Sequence, residues 1–477
     1  MMKLFKIIFS AVFFLSLFSC KKVLETRETD FIGGDIALQS INNTHQALIG
    51  AYAGVNYEMD ILFNAVLSDE VRVGEFYNAG TVHEWQFGPQ DVSIRDQYTA
   101  ITPYYRVIDR LNRVLQALPN ARATQAGDEN LRTRIRGEAL FLRAFSHFEL
   151  VRYYSGNYDP AGLAMAYMET PSLTPTARIT MGPYFQKINA DLAAAKDLVP
   201  NNLTDIARAN KMAVAGLQAR VALYMRDWQN ASTFSTEYIT ALPLASMAQF
   251  PGIWTDANNT EVAFKLRRSP ELSPFGRLGG LFRGNSPNAT QVGTVTWLAS
   301  NKLWNSYDQV NDIRFASYFK DEPLLSAANR PSRLVSKYAG GNYGSGTENV
   351  ADVKVFRTGE MYLIRAEAKA EMNDLGGAAA DLNALRAARI SGYTDETFAT
   401  KELMIDAILL ERFRELAYEG HRFWDLKRRN RAVVRLAEDA PNATAVTLPA
   451  GNFRFLLPIP QREIEANPQL EQNPGYK

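Results

Sequence analysis

Apolar residues along this chain recur mostly at helical spacing. Residues 42–56 and 95–118 each gather them on one face and polar residues on the other, which predicts two amphipathic helices. Residues 129–154, containing LRTRIRGEALFLRAFSHFELVRYY, predict a longer helix. From Ala139 onward its apolar side chains cover almost every face, so it is expected to be buried. Gly156 follows where a C-cap would sit. Residues 182–198 predict another helix, closed by Pro200.

Two stretches repeat a pattern. AGLQARVALYMRDWQNA (215–231) and LIRAEAKAEMNDLGGAA (363–379) each read as helix, short turn, helix. Ala219 corresponds to Ala366, Leu223 to Ala370, Asp227 to Asp374 and Ala231 to Ala378. Small residues around a tight turn allow close antiparallel packing, which is the logic of tetratricopeptide-like pairs. Residues 242–350 differ: Pro, Gly, Asn and Ser rise and the helical period fades. Residues 261–266 (EVAFKL) predict a strand. Residues 267–296 form a long irregular stretch, and AGGNYGSGTEN (339–349) forms a second loop. Long loops on a rigid frame are where binding residues gather. The predicted layout is a helical scaffold over 41–60, 95–240 and 351–430. A loop-rich region over 61–94 and 242–350 and a tail over 431–477 complete a single domain, 41–477.

The first residues change the picture. Lys3 and Lys6 precede an apolar run over 7–18, and Ser19 then precedes Cys20, the only cysteine. That order is a signal peptide, 1–19, too short to span a bilayer, which needs roughly 20 residues. Leu17-Phe18-Ser19-Cys20 resembles the lipobox of bacterial lipoproteins, in which the cysteine sulfur carries diacylglycerol. Cys20 is therefore the expected lipidation site, and residues 20–40 the tether. No later segment is apolar enough to span a membrane.

Charge excludes one class of partner. Lys and Arg total 52, Asp and Glu 51, so the basic excess that nucleic acid requires is missing. One Cys and 4 His argue against thiol or zinc chemistry. No metalloprotease, nucleophile-elbow or phosphate-loop motif is present, and no cofactor is expected. Glu411 and Glu415 share a helix face, but Arg412, Arg414 and Arg422 crowd them. Arginines keep carboxylates ionised, whereas a general acid needs a raised pKa. An ion network is expected there. Asp69 and Glu70 are adjacent and would point to opposite sides of an extended segment.

The C-terminal third carries a family resemblance. LLERFRELAYEGHRFWDLKR (409–428) puts Leu409, Arg412, Phe413 and Leu416 on one face, ends at Gly420, and sets Arg422 and Asp425 one turn apart. The tail LLPIPQREIEANPQLEQNPGY follows, with one possible helical turn at 461–465. With LRAFSHFELVRYYSG and the lipobox, these resemble the SusD/RagB family of outer-membrane lipoproteins across the whole chain, least in 60–100 and 265–345. The resemblance implies a mainly α fold, with tetratricopeptide-like helix pairs forming a scaffold under a loop-rich, minor-β ligand-binding region. It implies a non-catalytic protein on the outer face of the outer membrane. Such a protein would capture oligosaccharides and deliver them to a SusC-like TonB-dependent transporter. Peptide capture on the same fold, or a helical scaffold without a ligand, are the alternatives.

The family's ligand contacts come from loops without a fixed motif, so candidates rest on chemistry. A sugar needs flat aromatic surfaces with polar groups around them. Trp85 lies in a polar loop with Asp69, Arg72, Tyr77 and Asn78, and Trp297 closes the long irregular stretch. Asn342 and Tyr343 sit in the glycine-rich loop. These eight are the expected ligand-binding residues. Trp228, Trp254 and Trp424 are expected to be structural, and Trp304 to be packed on a helix. His147 and His421 are expected to be structural too.

Overall fold

Helices carry the structure, as the apolar spacing predicts. The computed structural model describes residues 37–76, 80–271, 278–284 and 288–476. Ser40 caps α1 (Ile41–Ala53) by accepting from the Asn43 N–H at 3.1 Å. Asn56 caps α2 (Tyr57–Leu67) by accepting from Met59 at 3.1 Å. The long helices that follow are α3 (Ile101–Ala117), α4 (Asp128–Tyr154) and α5 (Met181–Leu198). Then come α6 (Lys211–Met225), α7 (Trp228–Ala241), α8 (Thr358–Glu371), α9 (Leu375–Ala387), α10 (Lys401–Glu415) and the short α11 (Arg422–Arg428).

Successive helices pack as antiparallel neighbours. α4 lies between α3 and α5, α6 packs on α7, α7 on α8, and α8 on α9 and α10. Gly137 lets α4 approach the end of α5, where a Cβ would stand 2.8 Å from that of Leu198. The repeat seen in the sequence is geometric. Arg226 and Asn373 both turn left-handed, with φ of 59° and 66°. Asp227 and Asp374 then cap α7 and α9 with near-identical backbone angles. Ala219 and Ala366, at the helix contacts, are fully buried.

Four boundaries depart from expectation. α2 falls partly inside the stretch 61–94 read as loop, because its sequence shows no polar stripe. Nearly every α2 residue is buried, and Asp60 accepts hydrogen bonds from Tyr104 and Tyr153 inside the core. The helix expected over 95–118 is interrupted: a single π turn (Ser93–Gln97) precedes α3. α4 stops at an extended Ser155 rather than at Gly156. Gly420 does take the left-handed conformation, φ 80°, but α10 already ends at Glu415.

Strands are short and pair in twos. β1 (Val71–Val73) pairs with β3 (Trp297–Ala299), β2 (Val262–Leu266) with β6 (Val353–Arg357), and β4 (Phe319–Asp321) with β5 (Arg333–Val335), all antiparallel. The β2–β6 pair is buried throughout, Lys265 and Lys354 included, and β2 fills all but the first residue of the strand expected at 261–266. The tail crosses back over the helices: Leu457 donates to the Tyr153 carbonyl at 3.0 Å, and Asn473 and Arg178 hydrogen-bond at 2.9 Å. Gln461–Ala466 is helical, one residue longer than expected.

Candidate functional site

A cleft of about 980 Å³ opens between the helices and the loop region. One wall is the α1–α2 corner, with Ala53, Gly54, Glu58 and Leu62. A second wall is the π turn and the start of α3, from Asp96 to Arg110. The third comes from Leu278–Leu281 and Thr294–Trp297. The aromatic residues that border it are Tyr98 and Trp297, both held by packing and showing only an edge to the cleft. Tyr98 rests on Phe63 with ring centres 5.6 Å apart, and Trp297 lies 5.0 Å from the His83 ring. The Tyr98 hydroxyl makes no hydrogen bond among the described residues, although Tyr98 is only 4% exposed. A concave cleft with a few placed polar groups is the general form of a small-ligand site.

The eight expected contacts fall in different places. Trp297 borders the cleft, but its body is buried in β3. Trp85 is packed into the scaffold instead of facing ligand. Its Nε1–H donates to the Leu67 carbonyl at 2.9 Å, and the Arg435 guanidinium lies 4.1 Å above its ring. Burial of such a ring is worth more than a loop contact, roughly 2–3 kcal/mol. Asp69 is likewise internal, paired with Arg422 at 2.8 Å and Lys302 at 2.7 Å. Burial alone would raise its pKa, but these two cations outweigh that and hold it well below the usual range. Arg72 is half-buried in β1, opposite Leu298, and does not border the cleft. Tyr343 pins the glycine-rich loop down: its hydroxyl donates to the Arg283 carbonyl at 3.0 Å, with the Arg283 side chain 4.3 Å over the ring. Asn342 beside it is exposed. Tyr77, Asn78 and Cys20 lie outside the described residues.

Sequence reasoning missed Tyr98, Arg106 and Arg110. All three lie in the amphipathic segment assigned to scaffold. The available signal was the arginine at every turn of its polar face, in YYRVIDRLNRV.

The carboxylates at 411 and 415 do form an ion network, but not with the neighbouring arginines expected from the sequence: Arg412 pairs with Asp425 and Arg422 with Asp69. Glu411 meets Arg314 at 2.5 Å and Arg386 at 2.8 Å; Glu415 meets Arg357 at 3.0 Å and Arg389 at 3.1 Å. Neither side chain has exposed surface. Burial would raise both pKa values, but the arginines outweigh it and keep both low. Neither can serve as a proton donor at neutral pH. His147 is buried against Tyr167 and Tyr184, and burial pushes it down to about 3. Trp254 is a platform for Lys337, whose ammonium lies 4.0 Å from the ring centre. Among the described residues, no group of acidic, His or Cys side chains could hold a metal ion. No described helix is long and apolar enough to cross a membrane.

Stacked helix pairs under an irregular, open-clefted loop layer define a helical scaffold protein that carries its site between layers. The comparisons with known proteins give that class a name. The model of the SusD family matches residues 295–476, and the family described as "Starch-binding associating with outer membrane" matches residues 38–223. SusD-like protein P2 of Formosa agariphila is 26% identical over the full length of both chains. A SusD superfamily structure from Bacteroides thetaiotaomicron superposes with a TM-score of 0.78 at 24% identity, covering 91% of this chain and all of that one. A laminarin-binding SusD-like protein superposes at 0.72 and 20% identity, covering 92% of this chain and all of that one. The chain belongs to the SusD/RagB family.

Proposed function

We propose that this protein captures glycan chains in the cleft between α3 and the wall formed by Leu278–Leu281 and Thr294–Trp297. It then passes them to a SusC-like TonB-dependent transporter in the outer membrane. A lipid on Cys20, with the tether behind it, would hold the protein at the cell surface. The observation that carries this reading is the cleft itself: large, open, and lined by polar groups beside the edges of Tyr98 and Trp297. Family membership and the laminarin-binding neighbour support the ligand class. The sealed arginine partners of Glu411 and Glu415 support binding without bond cleavage.

The test blocks the cleft. Ala53 is exposed at the end of α1 and borders the opening, so Ala53→Trp adds an indole there without touching the core. Affinity electrophoresis against a polysaccharide panel and a peptide digest should show retardation by one glycan class, lost in Ala53→Trp. Binding of peptides alone, or glycan binding indifferent to Ala53→Trp, would overturn the proposal.

A further inference from the structure

The charges around the cleft are not balanced locally, although the whole chain carries only +1. The acids on its walls are already occupied. Glu58 is gripped by Arg268, whose NH2 group donates at 2.9 Å, and Asp96 is held by Arg95 at 2.6 Å and Arg462 at 3.3 Å. Two arginines on the same walls have no acidic partner. Arg106 makes no hydrogen bond or ion pair among the described residues, and Arg110 reaches only the Gly50 carbonyl at 3.1 Å. Both are exposed, on successive turns of α3.

The row continues. Arg113 stands one turn further on, paired at 2.8 Å with Asp109 across exposed surface. It borders an adjoining groove of about 660 Å³ that shares Gly50 and Arg110 with the cleft. Along the helix axis the three arginines are spaced about 6 Å and then about 4.5 Å. Those steps are close to the length of one sugar ring in an extended chain. Unpaired guanidinium groups spaced along a groove suit carboxylates or sulfate esters repeated along a polymer, which they can meet with two parallel N–H donors. Tyr98, nearly buried and with an unpartnered hydroxyl at the same wall, adds a fixed donor beside them.

We infer that the glycan taken by this cleft is anionic, a polysaccharide bearing carboxylate or sulfate groups that Arg106 and Arg110 read; this rests on the glycan-binding reading above. The full-length protein is run through gels containing polygalacturonate, carboxyl-reduced polygalacturonate, λ-carrageenan or laminarin. Polygalacturonate or λ-carrageenan should retard it, and which of them does so distinguishes carboxylate from sulfate. The neutral polymers should retard it far less. Replacing Arg106 and Arg110 together by Ala should weaken binding of the anionic polymer about tenfold. Raising NaCl from about 0.05 M to about 0.5 M should weaken it as well. Equal or tighter binding of laminarin or the reduced polymer overturns the anionic assignment while leaving the glycan reading intact. Failure of every polysaccharide overturns both.

Discussion

Asp69 and Glu70 are neighbours in sequence with opposite electrostatic fates. Asp69 is ionised between Arg422 and Lys302. Glu70 accepts one hydrogen bond, from the Tyr418 N–H at 2.9 Å, and its other oxygen is buried without a partner. Burial, reinforced by the charge of Asp69, pushes the Glu70 carboxyl up to about 8. Asp69→Ala strands Arg422 in the interior and should cost about 3 kcal/mol in urea unfolding. Glycan binding lost with stability intact would instead make Asp69 a ligand contact. For Glu70 the folded pKa lies above the unfolded one, so the folded state holds the extra proton between about 4.5 and about 8. Its contribution is present at low pH and is lost as pH rises through that window. Glu70→Gln should therefore gain on the order of 4 kcal/mol over the wild type at pH 8 and less than about 1 kcal/mol at pH 5. Lys337, also facing Glu70, is pushed down to about 8 by burial, so its own dependence lies above that pH and does not obscure the effect. Stability curves that run parallel for wild type and variant would refute the assignment.

At the scale of elements, what was legible was local chemistry. The paired turns at Asp227 and Asp374 could be read because capping and the left-handed residue before it are written within a few positions. Asp227→Ala and Asp374→Ala should each cost about 1 kcal/mol, and by similar amounts, in thermal unfolding. A large inequality would mean the two turns are not equivalent. The π turn before α3 and the all-round burial of α2 were not legible. Both depend on what packs against them from distant parts of the chain, such as Tyr104 and Tyr153 around Asp60. The aromatic candidates illustrate the same limit. Trp85 sits among polar neighbours in sequence, yet Arg435, far along the chain, covers its ring. A loop composition cannot distinguish an aromatic that faces solvent from one that anchors the loop.

At the scale of the molecule, the family and its helical scaffold could be read from the C-terminal segment and the repeat, whereas the cleft could not. Its walls come from five separated stretches, and its charge emerges only once Glu58 and Asp96 have found their partners. One feature of that assembly has an evolutionary consequence. Because β2 and β6 clasp each other, the excursion over 267–352 starts and ends at one point, while inside it β3 pairs with β1 and Asp312 bridges to Ile390. Lengthening such an excursion adds little closure entropy, so it can behave as an exchangeable cassette that carries one wall of the cleft. The exchange has conditions. Lys302, Arg314 and Lys337 belong to the excursion, yet they neutralise Asp69, Glu411, Glu415 and Glu419 outside it. A chimera that imports another relative's excursion should fold only if it brings cations to those three places. New substrate walls are thus free to vary between their anchors, while the anchors must be inherited with the helices.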